Sequence, residues 1–158
     1  MADLYDMPGH LIRRLHQIST ALFTARMEAA GLDLTSVQFA ALAKVAETPG
    51  IDQATLAGLI AYDRVTLGGV VDRLVAKGLL DRSVHPRDRR ARVLAVTDAG
   101  RAVLDSSLPA IGAVQEDILA GLAPDERETF VALLRKATEA GNDQSRAPLV
   151  PLRAEPAE

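Results

Sequence analysis

Residues 79–96 read LLDRSVHPRDRRARVLAV and place five arginines between two short runs rich in apolar and β-branched residues. Pro86 lacks a backbone N–H and Asp88 favours turns, so the pair predicts a loop over residues 85–90. The flanking runs predict strands over residues 79–84 and 91–96. The stretch therefore predicts a hairpin with a basic tip, suited to phosphates or a narrow electronegative groove; the alternative is a solvated charged hairpin without a partner.

Two short helical patterns precede this hairpin. The first begins at Asp52 and the second at Asp63, both of a residue type that caps helix N-termini. Residues 60–62 between them leave room only for a tight turn. The order helix, turn, helix, hairpin predicts a winged helix-turn-helix, in which the hairpin is the wing and the second helix is the recognition helix that reads DNA.

Length and composition agree with a single domain of this kind. The chain has 158 residues, of which 48% are hydrophobic, and no cysteine, which excludes disulfides and thiolate metal sites. Its three histidines do not form a ligand cluster, so we expect no metal and no cofactor. No apolar run approaches the roughly 18 residues of a membrane span, and Asp3 and Asp6 do not fit a signal peptide. We expect a cytoplasmic protein without a membrane partner.

The charge is concentrated where the wing lies. The formal net charge is −3, but residues 62–101 contain nine Lys and Arg against five Asp and Glu, a local +4. A local basic surface governs contact with phosphates, whereas the overall charge mainly limits non-specific binding. The distribution therefore favours a nucleic-acid partner.

Long amphipathic helices flank the winged helix-turn-helix and make the fold mainly α, in the α+β class. Apolar residues at helical spacing predict helices over residues 8–30 and 35–47, and Thr97 and Pro124 begin two more, which we expect to pack antiparallel. Such helices exceed what a small core can cover, so we expect a homodimer; the alternative is that they fold back on their own winged helix. The predicted regions are dimerisation helices over 1–33 and 98–141, a DNA-binding domain over 34–97 and a flexible tail over 142–158.

The recognition helix has a buried and an open side. Its apolar spacing leaves Arg64, Val65, Thr66, Gly68, Gly69 and Arg73 available to solvent or DNA. Thr66 could touch a thymine methyl or a phosphate, and the two arginines suit phosphate or guanine. Each glycine costs about 1 kcal/mol in a helix interior, so either the helix is irregular or its backbone approaches DNA closely. Gln53 and Thr55 are candidates for backbone contacts from the preceding helix.

In the wing, we expect one of Arg89 and Arg90 to enter the minor groove while the other pairs with Asp88 or a nearby acidic residue. Arg87 and Arg92 are either phosphate contacts or solvated charges. The predicted DNA-binding set is Gln53, Thr55, Arg64, Thr66, Gly68, Gly69, Arg73, Arg87, Arg89 and Arg90.

Three segments resemble the MarR family of bacterial transcriptional regulators: LTSVQFAAL at 34–42, LVAKGLLDR at 74–82, and Asp88-Arg89-Arg90 followed by Leu94-x-x-Thr97-x-x-Gly100. The resemblance spans residues 8–140 and favours Arg89 and Arg90 as the functional pair of the wing. It implies a triangular homodimer whose first and last helices form the dimerisation region. Two winged helices would then reach one pseudo-palindromic operator.

The resemblance also implies an effector, because members of this family commonly bind small aromatic or phenolic carboxylates between the dimerisation helices and the winged helix. Arg13 and His16 share a helix face and could hold a carboxylate; the alternative is that they are surface or dimer-contact charges. The predicted effector-binding set is His10, Arg13, Arg14 and His16.

The expected function is that of a repressor released from its operator by a small effector, an aromatic carboxylate or its thioester. The alternative is a winged-helix protein-interaction module without regulated DNA binding, against which the intact arginine wing argues. An enzyme is not expected, because no Gly-flanked serine lies near a histidine and no phosphate-binding glycine loop is present.

Overall fold

The computed structural model describes residues 3–152 and contains, within them, six α-helices, three short strands and two 3₁₀ turns. The strands form one antiparallel sheet in the order β1-β3-β2. The elements are α1 (Pro8–Ala29), α2 (Ser36–Glu47), β1 (Ile51–Asp52), α3 (Gln53–Leu59), α4 (Arg64–Ala76), β2 (Leu80–Val84), β3 (Arg92–Val96), α5 (Asp98–Ile118) and α6 (Pro124–Ala140). The predicted fold class is confirmed.

Local caps set the helix starts as the sequence predicted. Thr35 and Gln38 form a reciprocal capping box at α2, in which Thr35 Oγ1 accepts from the Gln38 N–H and Gln38 Oε1 accepts from the Thr35 N–H. Asp52, Asp63 and Thr97 cap α3, α4 and α5 through their side-chain oxygens. Because each cap depends on residues three positions apart, these boundaries were readable from the sequence.

The predicted hairpin is present. Strands β2 and β3 pair antiparallel from Leu80 opposite Val96 to Val84 opposite Arg92, and β1 adds Ile51 opposite Leu94. The loop between β2 and β3 carries the arginine tip. We call residues 80–96 the wing.

One hydrophobic core lies beneath the helix-turn-helix. The four α4 residues assigned to its buried side are Leu67, Val70, Val71 and Leu74, and none is more than 3% exposed. They belong to the same core cluster as apolar residues of α2, α3 and the sheet, namely Leu42, Val45, Leu56, Leu80 and Leu94. This core fixes the angle at which α4 presents its opposite face to solvent.

Helix α5 begins directly against the base of the wing. Thr97 Oγ1 donates to the Gly78 carbonyl (2.7 Å), and the Thr97 N–H donates to the Leu79 carbonyl (3.2 Å). At Gly100 a Cβ would lie 2.1 Å from the Leu79 oxygen, so only glycine fits there. The Thr97-x-x-Gly100 motif is therefore the joint between the wing and α5.

Helices α1 and α5 pack together, whereas α6 packs along neither of them. The expected antiparallel packing of α5 and α6 along their length is wrong: no residue of α6 is buried. The two helices are joined near their connecting turn, where Arg127 bonds Glu116 (2.8 Å) and the Leu122 carbonyl (3.0 Å). Apolar side chains of α6 such as Leu133 and Leu134 are left exposed.

Residues 142–152, here called the tail segment, contact the helix-turn-helix. The Val150 N–H donates to the Gly58 carbonyl at the end of α3 (2.9 Å). The Asn142 side chain accepts from the Leu149 N–H (2.8 Å) and donates to the Leu149 carbonyl (3.0 Å). The sequence predicted a flexible tail over 142–158, but the first part of it is held by these bonds. Residues 153–158 lie outside the described residues.

Candidate DNA-binding surface and effector cleft

Each helix of the helix-turn-helix starts with the same Asp-x-x-Thr arrangement. Asp63 accepts from the Thr66 N–H (3.0 Å) and hydroxyl (2.9 Å), and Asp52 accepts from the Thr55 N–H (2.9 Å) and hydroxyl (2.5 Å). Hydrogen bonds from the Thr66 backbone and hydroxyl lower the pKa of Asp63. Partial burial disfavours the charged form of Asp52, but the hydrogen bonds from Thr55 together with those from the Ala54 and Asp52 backbone outweigh it, so the pKa of Asp52 is also lowered.

These caps restrict what the two predicted threonines can do. The hydroxyl proton of Thr55 and that of Thr66 are already donated to a carboxylate. A phosphate oxygen accepts but cannot donate, so a hydroxyl contact with phosphate would require breaking the cap. Thr66 keeps its methyl group available on the exposed surface, and Thr55 serves first to position α3.

The two adjacent glycines of α4 lie in a regular helix, so the alternative of an irregular helix is wrong. Neither has a positive φ. A Cβ at Gly68 would lie 3.5 Å from Gln53 Nε2, and one at Gly69 would lie 3.7 Å from an Arg73 guanidinium nitrogen, both ordinary contact distances. The fold therefore does not require glycine at either position, although each costs about 1 kcal/mol. The other alternative, close approach of the helix backbone to DNA, stays a prediction.

The strip of α4 that runs through Val65, Gly69 and Asp72, opposite the core, has no side chain at its middle position. Val65 is 89% exposed, and Gly69 follows one turn later on the same face. Asp72 lies further along this face and bonds to Arg82 of the wing (2.6 Å). Helical spacing places Val65 on the open side of α4, and an apolar side chain there is the sequence signal for a contact that the predicted DNA-binding set does not include.

Backbone hydrogen bonds hold the tip of the wing. His85 Nδ1 accepts from the N–H groups of Arg87 and Asp88, both at 3.1 Å. The Asp88 carboxylate accepts from the backbone N–H of Arg90 (2.9 Å) rather than from a guanidinium, so the expected Asp88–arginine ion pair is wrong. Within residues 3–152 the guanidinium groups of Arg87, Arg89 and Arg90 make no ion pair, which leaves their charge available to a ligand.

A basic recess lies between the wing and the helix-turn-helix. It has a volume of about 330 Å³, and Arg64 and Arg90 reach it from opposite sides. The other lining residues are Asp52, Gln53, Ala54, Ala91 and Arg92. Three arginines line the recess against the single carboxylate of Asp52, so its net charge is positive and suited to a phosphate. The predicted Gln53, Arg64 and Arg90 thus share one surface, and Arg73 lies two turns along α4.

A second cavity lies between α1, α2 and α5 and is here called the effector cleft. Its volume is about 280 Å³. Apolar walls come from Phe23, Phe39, Ile111, Val114 and Ile118, and polar groups come from His16, Ser19, Thr20, Ser36 and Gln115. Apolar walls with a few polar groups are the usual lining of a small-molecule site.

Of the four predicted effector residues, only His16 lines this cleft. Arg13 donates to Gln17 (3.0 Å) and approaches His10 Nδ1 (3.4 Å), while the His10 ring packs edge-on against Tyr5. Arg14 lines a separate apolar groove between α1 and α6. Arg13 and His16 are three positions apart, but the Arg13 side chain contacts His10 and Gln17 within α1 and does not line the cleft with His16.

An ion pair clamps α1 to α5 near one end of the effector cleft. Arg26 donates from Nε to Asp117 Oδ2 (2.6 Å) and from Nη2 to Asp117 Oδ1 (2.8 Å). The side-chain hydrogen bonds from Arg26 hold the pKa of Asp117 below its ordinary value and raise that of Arg26. Because Asp117 neighbours Ile118 of the cleft, the clamp helps to set the separation of its two walls.

Residues 3–152 contain neither a metal-ligand cluster nor a single helix able to span a membrane. No group of three or more His, Asp and Glu is placed to hold a metal ion. No single helix in this part of the chain has the length and apolarity of a membrane span; α3 and α4 together reach that level by composition, but they are bent by 109° and contribute to the core.

The recognition helix, the arginine wing and the basic recess between them define a winged-helix DNA-binding protein. The MarR family model matches residues 34–91. The HTH-type transcriptional repressor NicR of Pseudomonas putida is 35% identical over 85% of this chain and 84% of its own length. The chain belongs to the MarR family, which confirms the resemblance.

Two solved structures have the same fold. The PcaV regulator of Streptomyces coelicolor, determined in complex with its natural ligand, is 36% identical with a TM-score of 0.80 over 89% of this chain and 98% of PcaV. BpsR of Bordetella bronchiseptica, whose DNA binding is regulated by 6-hydroxynicotinic acid, is 31% identical with a TM-score of 0.81 over 88% of this chain and 98% of BpsR. Both therefore match almost the whole fold.

Proposed function

We propose that this protein is a cytoplasmic, ligand-responsive transcriptional repressor that binds a pseudo-palindromic operator as a homodimer. The observation that carries the proposal is the combination of an open recognition helix with a wing whose Arg89 and Arg90 are free of ion pairs within the described residues. The similar protein NicR is named a repressor, which supports repression as the direction of regulation. The alternative protein-interaction module would have no need of an unpaired arginine tip.

In the proposed complex α4 enters the major groove and the wing follows the adjacent minor groove. Arg64 and Arg90, which share the basic recess, bind a backbone phosphate, and Arg89 at the tip enters the minor groove. The side chain of Gln53 lies against Gly68, and the N-terminal end of α3, where Gln53 is located, contacts the DNA backbone. Arg73 and Arg87 add phosphate contacts at the edges.

A homodimer would cover the apolar surface that the single chain leaves open. Leu11 and Ile12 of α1 are 46% and 64% exposed, and Leu133 and Leu134 of α6 are 60% and 43% exposed. A groove of about 460 Å³ separates the two helices and has mostly apolar walls. Isologous packing of these faces against a second copy would remove them from water.

The effector cleft suits a small aromatic acid. Phe23 and Phe39 provide faces for a ring, and His16 provides a polar group for a carboxylate or ring substituent. The DNA binding of BpsR is regulated by 6-hydroxynicotinic acid, and PcaV was determined in complex with its natural ligand. Both observations support a small-molecule effector, and the first supports an aromatic acid. Since α5 joins the cleft to the base of the wing through Gly100, a ligand that moves α5 would move the wing.

DNase footprinting and gel shifts on the DNA upstream of the protein's own gene test the DNA-binding proposal. We expect one protected site with half-site centres about 10 bp apart and a log K against log salt slope of about −4 or steeper. Arg89→Ala should weaken binding and lose the preference for A·T at the operator flanks, and Arg90→Ala should weaken binding uniformly. Arg135→Ala on α6 is the matched control. Equal binding by all variants would contradict the proposal.

Calorimetry with benzoate, hydroxybenzoates, cinnamate, their thioesters and 6-hydroxynicotinate tests the effector proposal. His16→Ala should reduce affinity for any binder by at least about tenfold, as loss of a charge-assisted hydrogen bond predicts. His10→Ala, the same change in the same helix outside the cleft, should leave it unchanged. If His10→Ala had the larger effect, the cleft would not be the effector site.

A further inference from the structure

Val65 is the most exposed large apolar side chain in the described part of the chain, at 89%. It occupies the second position of α4, directly after Arg64. The N-terminal residues of a recognition helix are the ones that reach base edges. The position therefore places an apolar group where DNA contacts are made.

The neighbours of Val65 leave it as the projecting group of this face. Gly69, one turn along, has no side chain, and the Thr66 hydroxyl is bonded to Asp63. Asp72 is neutralised by Arg82 of the wing. A helix bare at Gly69 can approach the floor of the groove closely enough for the two methyl groups of Val65 to touch a base.

We propose that Val65 contacts the C5 methyl group of a thymine in each operator half-site and makes the protein prefer thymine there. This inference rests on the proposed function. In the major groove the thymine methyl is the apolar group among base-edge donors and acceptors, which valine cannot hydrogen-bond. At any other base, Val65 would cover polar edges without satisfying them.

The test replaces each thymine of the footprinted operator by deoxyuridine, one position at a time, which removes only the C5 methyl. We expect wild-type affinity to fall roughly fourfold per half-site at one symmetric position, the factor that corresponds to burying one methyl group at about 0.8 kcal/mol. Val65→Ala should bind the thymine and deoxyuridine operators equally at that position. Its melting temperature should not fall below that of the wild type, because the side chain makes little contact with the fold and alanine is the better helix former.

Thr66→Ser is the matched variant, because it removes the neighbouring methyl group and keeps the cap on Asp63. It should retain the thymine preference. The inference is overturned if no thymine position matters, if Val65→Ala keeps the wild-type profile, or if Thr66→Ser abolishes the preference instead. Absence of any footprint would contradict the proposed function itself, which separates the two failures.

Discussion

At the residue scale, we expect the substitution Gly69→Ala to stabilise the fold and to weaken operator binding. Replacement of Gly69 by alanine meets only the Arg73 side chain at 3.7 Å, so the fold can accept it. We expect Gly69→Ala to raise the free energy of unfolding by up to about 1 kcal/mol, because alanine is the better helix former. The added methyl would also keep α4 away from the groove floor and weaken operator binding. Urea unfolding and gel shifts on the same variant check the two effects.

Gly100 is the comparison position for that experiment. There a Cβ would lie 2.1 Å from a backbone oxygen, so Gly100→Ala should destabilise the fold by about 3 kcal/mol or more. Gly69→Ala should therefore raise the free energy of unfolding measured in urea, whereas Gly100→Ala should lower it. If Gly69→Ala were also destabilising, glycine at 69 would serve the fold rather than DNA.

At the scale of elements, the Arg26–Asp117 clamp predicts a pH dependence. The pKa of Asp117 is lowered in the folded state, so the clamp stabilises the fold above the ordinary aspartate pKa of about 3.9 and loses its effect as pH falls through the folded value. The difference in melting temperature between wild type and Asp117→Asn should be constant from about pH 5 to 8 and shrink below about pH 4.

Asp105→Asn is the control for this measurement, because Asp105 lies in the same helix, is exposed and has no ion pair among the described residues. It should leave the melting temperature unchanged at every pH. A wild-type advantage over Asp117→Asn that did not shrink at all as the pH fell below about 4 would show that the clamp is not electrostatic.

The tail segment gives a second prediction at this scale. Asn142 makes two hydrogen bonds to Leu149 and so holds the chain that carries Val150 to Gly58. Asn142→Ala should speed hydrogen exchange of the Val150 amide by about 5- to 30-fold, the range for losing 1–2 kcal/mol. Asp143→Ala is the neighbouring control. Unchanged exchange in Asn142→Ala would mean that other contacts hold the segment.

The sequence predicted the elements well where their signals are local. Asp52, Asp63 and Thr97 cap their helices within three residues, and the Pro86–Asp88 pair marks the loop of the wing. It did not predict that, of the four proposed effector residues, only His16 lines the cleft, because helical spacing does not tell which face of α1 packs beside α2 and α5. Nor did it predict the contact of Val150 with Gly58, which joins residues 92 positions apart.

At the scale of the whole molecule, the exposed apolar faces of α1 and α6 predict that dimerisation and DNA binding are linked. Leu134→Glu places a charge in the apolar groove and should shift the protein from dimer to monomer in analytical ultracentrifugation. Because each half-site would then be bound alone, operator affinity should fall by at least 10²-fold.

Leu149→Glu, in the tail segment and similarly exposed at 47%, is the matched control and should remain a dimer. A monomeric wild-type protein at micromolar concentration would contradict the proposed assembly.

The attachment of Val150 to Gly58 has a practical consequence for anyone purifying this protein. Residue 158 is eight residues beyond Val150, so a polyhistidine affinity tag fused there would begin within about 28 Å of the turn that precedes the recognition helix. Partly protonated histidines attract DNA phosphates in their own right. Operator affinities measured with a tag at that end would include this attraction, and removing the tag before titration eliminates it.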